Sequence, residues 1–202
     1  MNLPNKLTML RVILIPFFIF FLLTDICGSA GVWIALGIFC VASFTDFLDG
    51  QIARRCNLVT NFGKFMDPLA DKLLVCSALI CYIDMKLLPS WFVIIIIARE
   101  FIISGFRLVA SDNGVVIAAS WWGKCKTVSQ MVSIILFMVI AGIKKGIEWT
   151  GFMLTDKLGE APDISVLLII ATVIAWISLV LTVISLIDYV VKNKDVMKDK
   201  KQ

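Results

Sequence analysis

Six stretches of this 202-residue chain are long and apolar enough to cross a bilayer: residues 8–25, 31–54, 63–84, 89–110, 120–142 and 164–191. A helix rising about 1.5 Å per residue needs roughly 20 such residues to match a hydrocarbon core. The chain is 60% hydrophobic and 17% charged, with a mean hydropathy of +0.96, well outside ordinary soluble composition. These features predict an all-α, polytopic membrane protein, a bundle of six transmembrane helices forming one membrane-embedded domain over residues 1–202.

The basic residues orient that bundle. With both termini on one side, that side receives all 19 Lys and Arg except Lys86, Lys144, Lys145 and Lys157. Basic residues stay cytoplasmic, so both termini are expected there, in a cell membrane. The tail from about residue 192 holds five Lys against two Asp up to Lys201. It either skims anionic headgroups, at about 1 kcal/mol per well-placed charge, or is simply solvated. The run Val12–Leu23, followed by Cys27-Gly28-Ser29-Ala30, has the outline of a secretory signal but is expected to remain as the first helix, because further spans follow at once. The segment 144–163, with Trp149 and Pro162, predicts a loop on the outer face with a short interfacial helix. Trp91, Trp121 and Trp122 predict belt positions at the headgroups.

Four carboxylates lie within this apolar sequence at helical spacing: Asp46, Asp49, Asp67 and Asp71. Ionised aspartates at membrane depth are costly and persist where they face a cavity, a cation or a substrate path. At about 100° per residue, Asp46, Asp49, Gly50, Ala53 and Arg54 share one arc of the second helix, and Gly63, Asp67 and Asp71 form a stripe on the third. A connection of eight residues lets the stripes face each other across a cleft. The chain has no histidine, and its six cysteines show no paired metal spacing and read as small buried hydrophobes. Carboxylates are therefore the natural base and ligands. All-oxygen ligation suits Mg²⁺ or Mn²⁺, and a pair of ions clamps a phosphate or pyrophosphate undergoing displacement. Gly50 and Gly63 let a ligand approach the backbone, and Arg54 is placed to fork onto phosphate oxygens.

The string Asp46-x2-Asp49-Gly50-x2-Ala53-Arg54-x8-Gly63-x3-Asp67-x3-Asp71 matches every fixed position of the signature of the CDP-alcohol phosphotransferases, and the chain resembles that family. The resemblance implies a six-helix membrane enzyme, usually a homodimer, that displaces CMP from a CDP-linked lipid or alcohol by attack of a second alcohol. It implies that Asp46, Asp49 and Asp67 hold two metal ions, and that Asp71 ligates one of them and is the general base. Gly50, Arg54 and Thr60 would touch the CDP moiety of CDP-diacylglycerol. The opening Pro4–Arg11 stands where the family's nucleotide-lipid stretch lies, which adds Asn5 and Thr8.

The signature leaves the acceptor open. Arg99 and Arg107 lie on nearby faces of the fourth helix, and Lys124 and Lys126 enter the fifth from the same side. Together they predict a basic pocket for a phosphorylated acceptor. Arg99, inside an apolar run beside Glu100, needs an anionic partner. These segments resemble the branch of the family whose acceptor is sn-glycerol 3-phosphate; inositol phosphate is the alternative acceptor. An intramembrane prenyltransferase would carry two separated acidic motifs, whereas here both fall between Asp46 and Asp71. A divalent-cation or proton pathway would place polar groups through the membrane's depth, but residues 166–187 offer only Thr172, Ser178, Thr182 and Ser185. Membrane lipids are the expected surroundings, and no nucleic-acid partner is expected.

Overall fold

The protein is described by a computed structural model at residues 3–56, 61–112, 120–144, 147–156 and 162–192; at 3–5, 25, 46–56, 61–68, 71, 109, 111–112, 156 and 162–163 the description stops at the backbone. Six long helices follow the six apolar stretches: α1 (Leu3–Leu23), α2 (Ser29–Cys56), α3 (Asn61–Asp84), α4 (Ser90–Asp112), α5 (Trp121–Ile143) and α6 (Pro162–Lys192). Helix boundaries have local causes. Gly28 at φ +57° turns the chain between α1 and α2, a conformation that costs glycine little. The hydroxyl oxygen of Ser120 accepts the Gly123 N–H at 3.2 Å and caps α5. Pro162 opens α6, where its missing N–H is no loss.

α1 packs on α2 and α3, α5 on α6 and α2, and α4 on α6 and α3. One core runs through the bundle. Phe18 of α1 meets Phe39 of α2 with ring centroids 5.9 Å apart, and Tyr82 of α3 lies edge-on to Phe137 of α5 at 5.5 Å. The Tyr82 hydroxyl, fully buried, donates to the Ile134 carbonyl at 2.6 Å, so the polar end of the ring is satisfied. α1 is thus part of the packed bundle.

α6 shows the pattern of a lipid-embedded helix. Ala171, Ala175, Ser178, Thr182 and Ser185 are buried, while Val166, Ile169, Val173, Val180 and Ile187 are exposed. Small residues recurring at heptad spacing let neighbouring backbones approach closely, and large apolar ones face outward. The buried hydroxyls of Thr172 and Thr182 donate to carbonyls one turn back, Leu168 at 2.8 Å and Ser178 at 2.7 Å. α1, α5 and α6 each carry an apolar window of spanning length among the described residues, and α2 adds a shorter apolar run, Ser29–Thr45.

The segment after α5 corrects the expectation of an interfacial helix. It forms an antiparallel hairpin, β1 (Ile147–Thr150) and β2 (Met153–Asp156), with Trp149 opposite Leu154 and Thr150 opposite Met153. Gly151, first of the two loop residues, sits at φ +60°, as a two-residue hairpin turn requires. Trp149 is half-buried: its backbone N–H donates to the Lys86 carbonyl at 2.7 Å and its ring centroid lies 5.8 Å from that of Phe92. The hairpin also grips α6, through Leu154 N–H to the Thr172 hydroxyl at 3.1 Å and Trp176 Nε1 to the Phe152 carbonyl at 2.8 Å. Trp91, Trp121 and Trp122 are exposed, and Trp91 also packs tilted against Trp176 with ring centroids 6.0 Å apart. Of the five cysteines whose side chains are described, only Cys76 and Cys81 are buried, while Cys27 and Cys40 are exposed, against the expectation of burial; none of the five forms a disulfide among the described residues. The connection 113–119 and the tail 193–202 lie outside the described residues; just before the tail, Lys192 pairs with Asp188 at 2.7 Å.

Candidate functional site

The acidic motif falls on two helices, as its spacing predicts. α2 carries Asp46, Asp49, Gly50, Ala53 and Arg54, and α3 carries Gly63, Asp67 and Asp71. Helical backbone at both places each set on one face of its helix. The side chains of these residues, and of Asn5, lie outside the described residues, as does Thr60 altogether. Among the described residues there is no group of three or more His, Cys, Asp or Glu that could hold a metal. The motif's own Asp46, Asp49, Asp67 and Asp71 offer only oxygen donors, a chemistry that suits a hard cation.

α1 approaches this motif from the side. Thr8 and Arg11 are fully buried, and Arg11 Nε donates to the Ala42 carbonyl at 3.3 Å. Ala42 precedes Asp46 by one helical turn, so the opening segment is fastened to the motif-bearing end of α2. The same carbonyl also accepts the Thr45 hydroxyl at 2.7 Å, and a charged donor adds to the tie between the two helices.

A cavity of about 410 Å³ opens between α3, α4 and α5, lined by Lys72, Arg99, Glu100, Arg107, Gly123, Lys124 and neighbours. Three of the four predicted basic residues meet there. Arg107 and Lys124 are exposed, while Arg99 is only 7% exposed. Arg99 finds the anionic partner its setting demands in the adjacent residue: Nη1 donates to Glu100 Oε1 at 3.0 Å, and Nη2 to the Ser185 hydroxyl at 2.5 Å. Its Nε is buried without a hydrogen-bond partner among the described residues. An unmet buried donor is costly.

Lys126, the fourth, is placed differently. It is 1% exposed, its ammonium bonds Glu100 Oε1, and it lines a smaller cavity of about 60 Å³ with Cys76, Gln130 and Met131 rather than the large one. The two cavities share Lys72, Glu100 and Thr127 as walls. Sequence reasoning missed Lys72 and Ser185. Lys72 directly follows Asp71 and was legible as a flank of the motif; Ser185 gave no signal among the small residues of α6. At the opposite end, a cavity of about 240 Å³ lined by Leu22, Val32, Asp84, Leu87 and Lys144 carries one acid and one base and no phosphate-like set.

A lipid-facing helical bundle carrying this aspartate motif beside a basic cavity defines a polytopic membrane enzyme that handles phosphate groups. The chain belongs to the CDP-alcohol phosphatidyltransferase family, which it matches over residues 1–184. It is 38% identical over 207 residues to the CDP-diacylglycerol--glycerol-3-phosphate 3-phosphatidyltransferase of Bacillus subtilis (strain 168), covering 98% of this chain and 97% of that one. It is 44% identical over 139 residues to the proteins of the same name from Escherichia coli (strain K12) and Shigella flexneri serotype 5b (strain 8401), covering 66% of this chain and 74% of theirs. That membership sets the chain among the CDP-alcohol phosphatidyltransferases rather than with the intramembrane prenyltransferases or transporters weighed from sequence.

Proposed function

We propose that the protein transfers the phosphatidyl group of CDP-diacylglycerol to sn-glycerol 3-phosphate, giving phosphatidylglycerophosphate and CMP. The observation that carries the acceptor is the cavity ringed by Arg99, Arg107 and Lys124. A phosphomonoester dianion suits it, whereas an uncharged polyol offers no charge to Arg107 and Lys124. The names of the relatives support the same acceptor.

In the proposed chemistry Asn5, Thr8, Gly50, Arg54 and Thr60 hold the CDP moiety. Two divalent cations, Mg²⁺ or Mn²⁺, held by Asp46, Asp49, Asp67 and Asp71, would neutralise the pyrophosphate and the charge that builds at phosphorus. Asp71 takes the proton from the acceptor's 1-hydroxyl. That oxygen attacks the lipid-side phosphorus, the bond to the CMP phosphate oxygen breaks, and CMP leaves. Arg99, Arg107 and Lys124 hold the acceptor's own phosphate away from the reacting centre and so present the hydroxyl. The whole chain acts as one membrane-embedded domain with six spans, its termini and site at the cytoplasmic face, and pairs as a homodimer, as the family resemblance implies.

CMP release from CDP-diacylglycerol, with acceptors supplied one at a time, tests this. Release is expected with sn-glycerol 3-phosphate and poor with glycerol. Consumption of inositol phosphate with sn-glycerol 3-phosphate ignored would overturn the acceptor assignment.

A further inference from the structure

A carboxylate in the wall of an anion-binding cavity works against the anion, and Glu100 is the acid in a wall that otherwise presents Lys72, Arg99, Arg107 and Lys124. Its geometry gives the compensation. One oxygen, Oε1, accepts from both Arg99 Nη1, at 3.0 Å, and the buried ammonium of Lys126. Ser185, arriving from α6, accepts from Arg99 Nη2. Both terminal nitrogens of the guanidinium are therefore tied to protein, and a planar group held at two corners has its orientation set. Nε is the donor left over, buried and without a partner among the described residues. Lys126 is meanwhile drawn into the partition between the two cavities instead of lining the larger one.

We propose that Glu100 is a positioning residue for the acceptor: together with Ser185 it fixes the guanidinium of Arg99 toward the cavity, and it holds Lys126 as a buried counter-charge rather than as a ligand of the acceptor's phosphate. The inference rests on the reading of the large cavity as the acceptor site. It divides the four basic residues into three that meet the phosphate and one that supports the wall. It also explains why α6, which carries no motif, bears on acceptor selection.

The proposal opposes simple charge counting. Removing a negative charge beside an anion should tighten binding; removing a positioning residue should weaken it, because Arg99 loses its orientation and Lys126 becomes an unpaired buried cation. The full chain in lipid nanodiscs is assayed for CMP release, varying sn-glycerol 3-phosphate at saturating CDP-diacylglycerol and the reverse. Glu100→Gln is expected to raise the KM for sn-glycerol 3-phosphate by roughly tenfold or more, with kcat and the KM for CDP-diacylglycerol changed far less. Ser185→Ala moves the same KM in the same direction by less, and Lys126→Met raises it less than Glu100→Gln does.

An acceptor KM that stays level or falls in Glu100→Gln overturns the proposal, as does a larger rise in Lys126→Met, which makes Lys126 the ligand. If Glu100→Gln does not fold, Ser185→Ala decides: an unchanged acceptor KM sinks the positioning role. A wild-type enzyme that ignores sn-glycerol 3-phosphate overturns the acceptor reading itself, a result separable from the others.

Discussion

Arg99 shows how one buried cation organises its surroundings. A guanidinium does not shed its proton in a protein, so at 7% exposure it must find acceptors, and it takes Glu100 and Ser185. Arg107 and Lys124 lie exposed on the same cavity and keep their donors available. Replacing either with Gln is expected to raise the KM for sn-glycerol 3-phosphate roughly tenfold, about 1.4 kcal/mol, while the KM for CDP-diacylglycerol holds. On the motif, Asp71→Asn should lower kcat by roughly 10²- to 10⁴-fold, the usual worth of a general base, with the melting temperature in detergent little changed. Unimpaired CMP release from that variant would remove Asp71 from the chemistry. The sequence singled out Arg99 because a cation inside an apolar run stands out, and helical spacing set Arg107 and Lys124 near it. It did not disclose that Lys126 sits apart from them, since its partner Glu100 is 26 positions away along the chain.

The helices were the most legible elements. Each apolar stretch became one helix with ends shifted by a few residues, because a span's length is set by bilayer thickness rather than by subtle propensities. The hairpin at 147–156 was not legible: short strands pair through backbone contacts to Lys86 and α6 that only the packed bundle supplies. Helix contacts also leave marks at glycines. A Cβ on Gly142 of α5 would come within 2.9 Å of Trp33 Cε2 and 3.1 Å of Nε1 on α2, against a rigid ring. Gly142→Ala is expected to destabilise by about 1–3 kcal/mol, as overpacking does, which a chemical-denaturation or thermal-melt series would read. An unchanged midpoint would mean that α2 and α5 sit farther apart than this contact requires.

At the scale of the whole molecule, the register between parallel helices shows how the ends are staggered. Trp91 lies beside Trp176 and Arg99 beside Ser185, so α4 begins level with Trp176, and the first 14 residues of α6 reach about 20 Å beyond it. The hairpin occupies that offset, between the α3–α4 turn and α6. The proposed orientation puts the end bearing Cys27 outside the cell. A variant retaining only this exposed thiol is expected to react with a membrane-impermeant maleimide added to intact cells, and labelling only after lysis would invert the topology. The basic walls of the large cavity come mainly from α4 and α5, while the aspartate motif is confined to α2 and α3. On the proposed chemistry, selection of the incoming alcohol is modular: exchanging wall residues on α4 and α5 can retarget the enzyme to another nucleophile while the carboxylate machinery stays as it is.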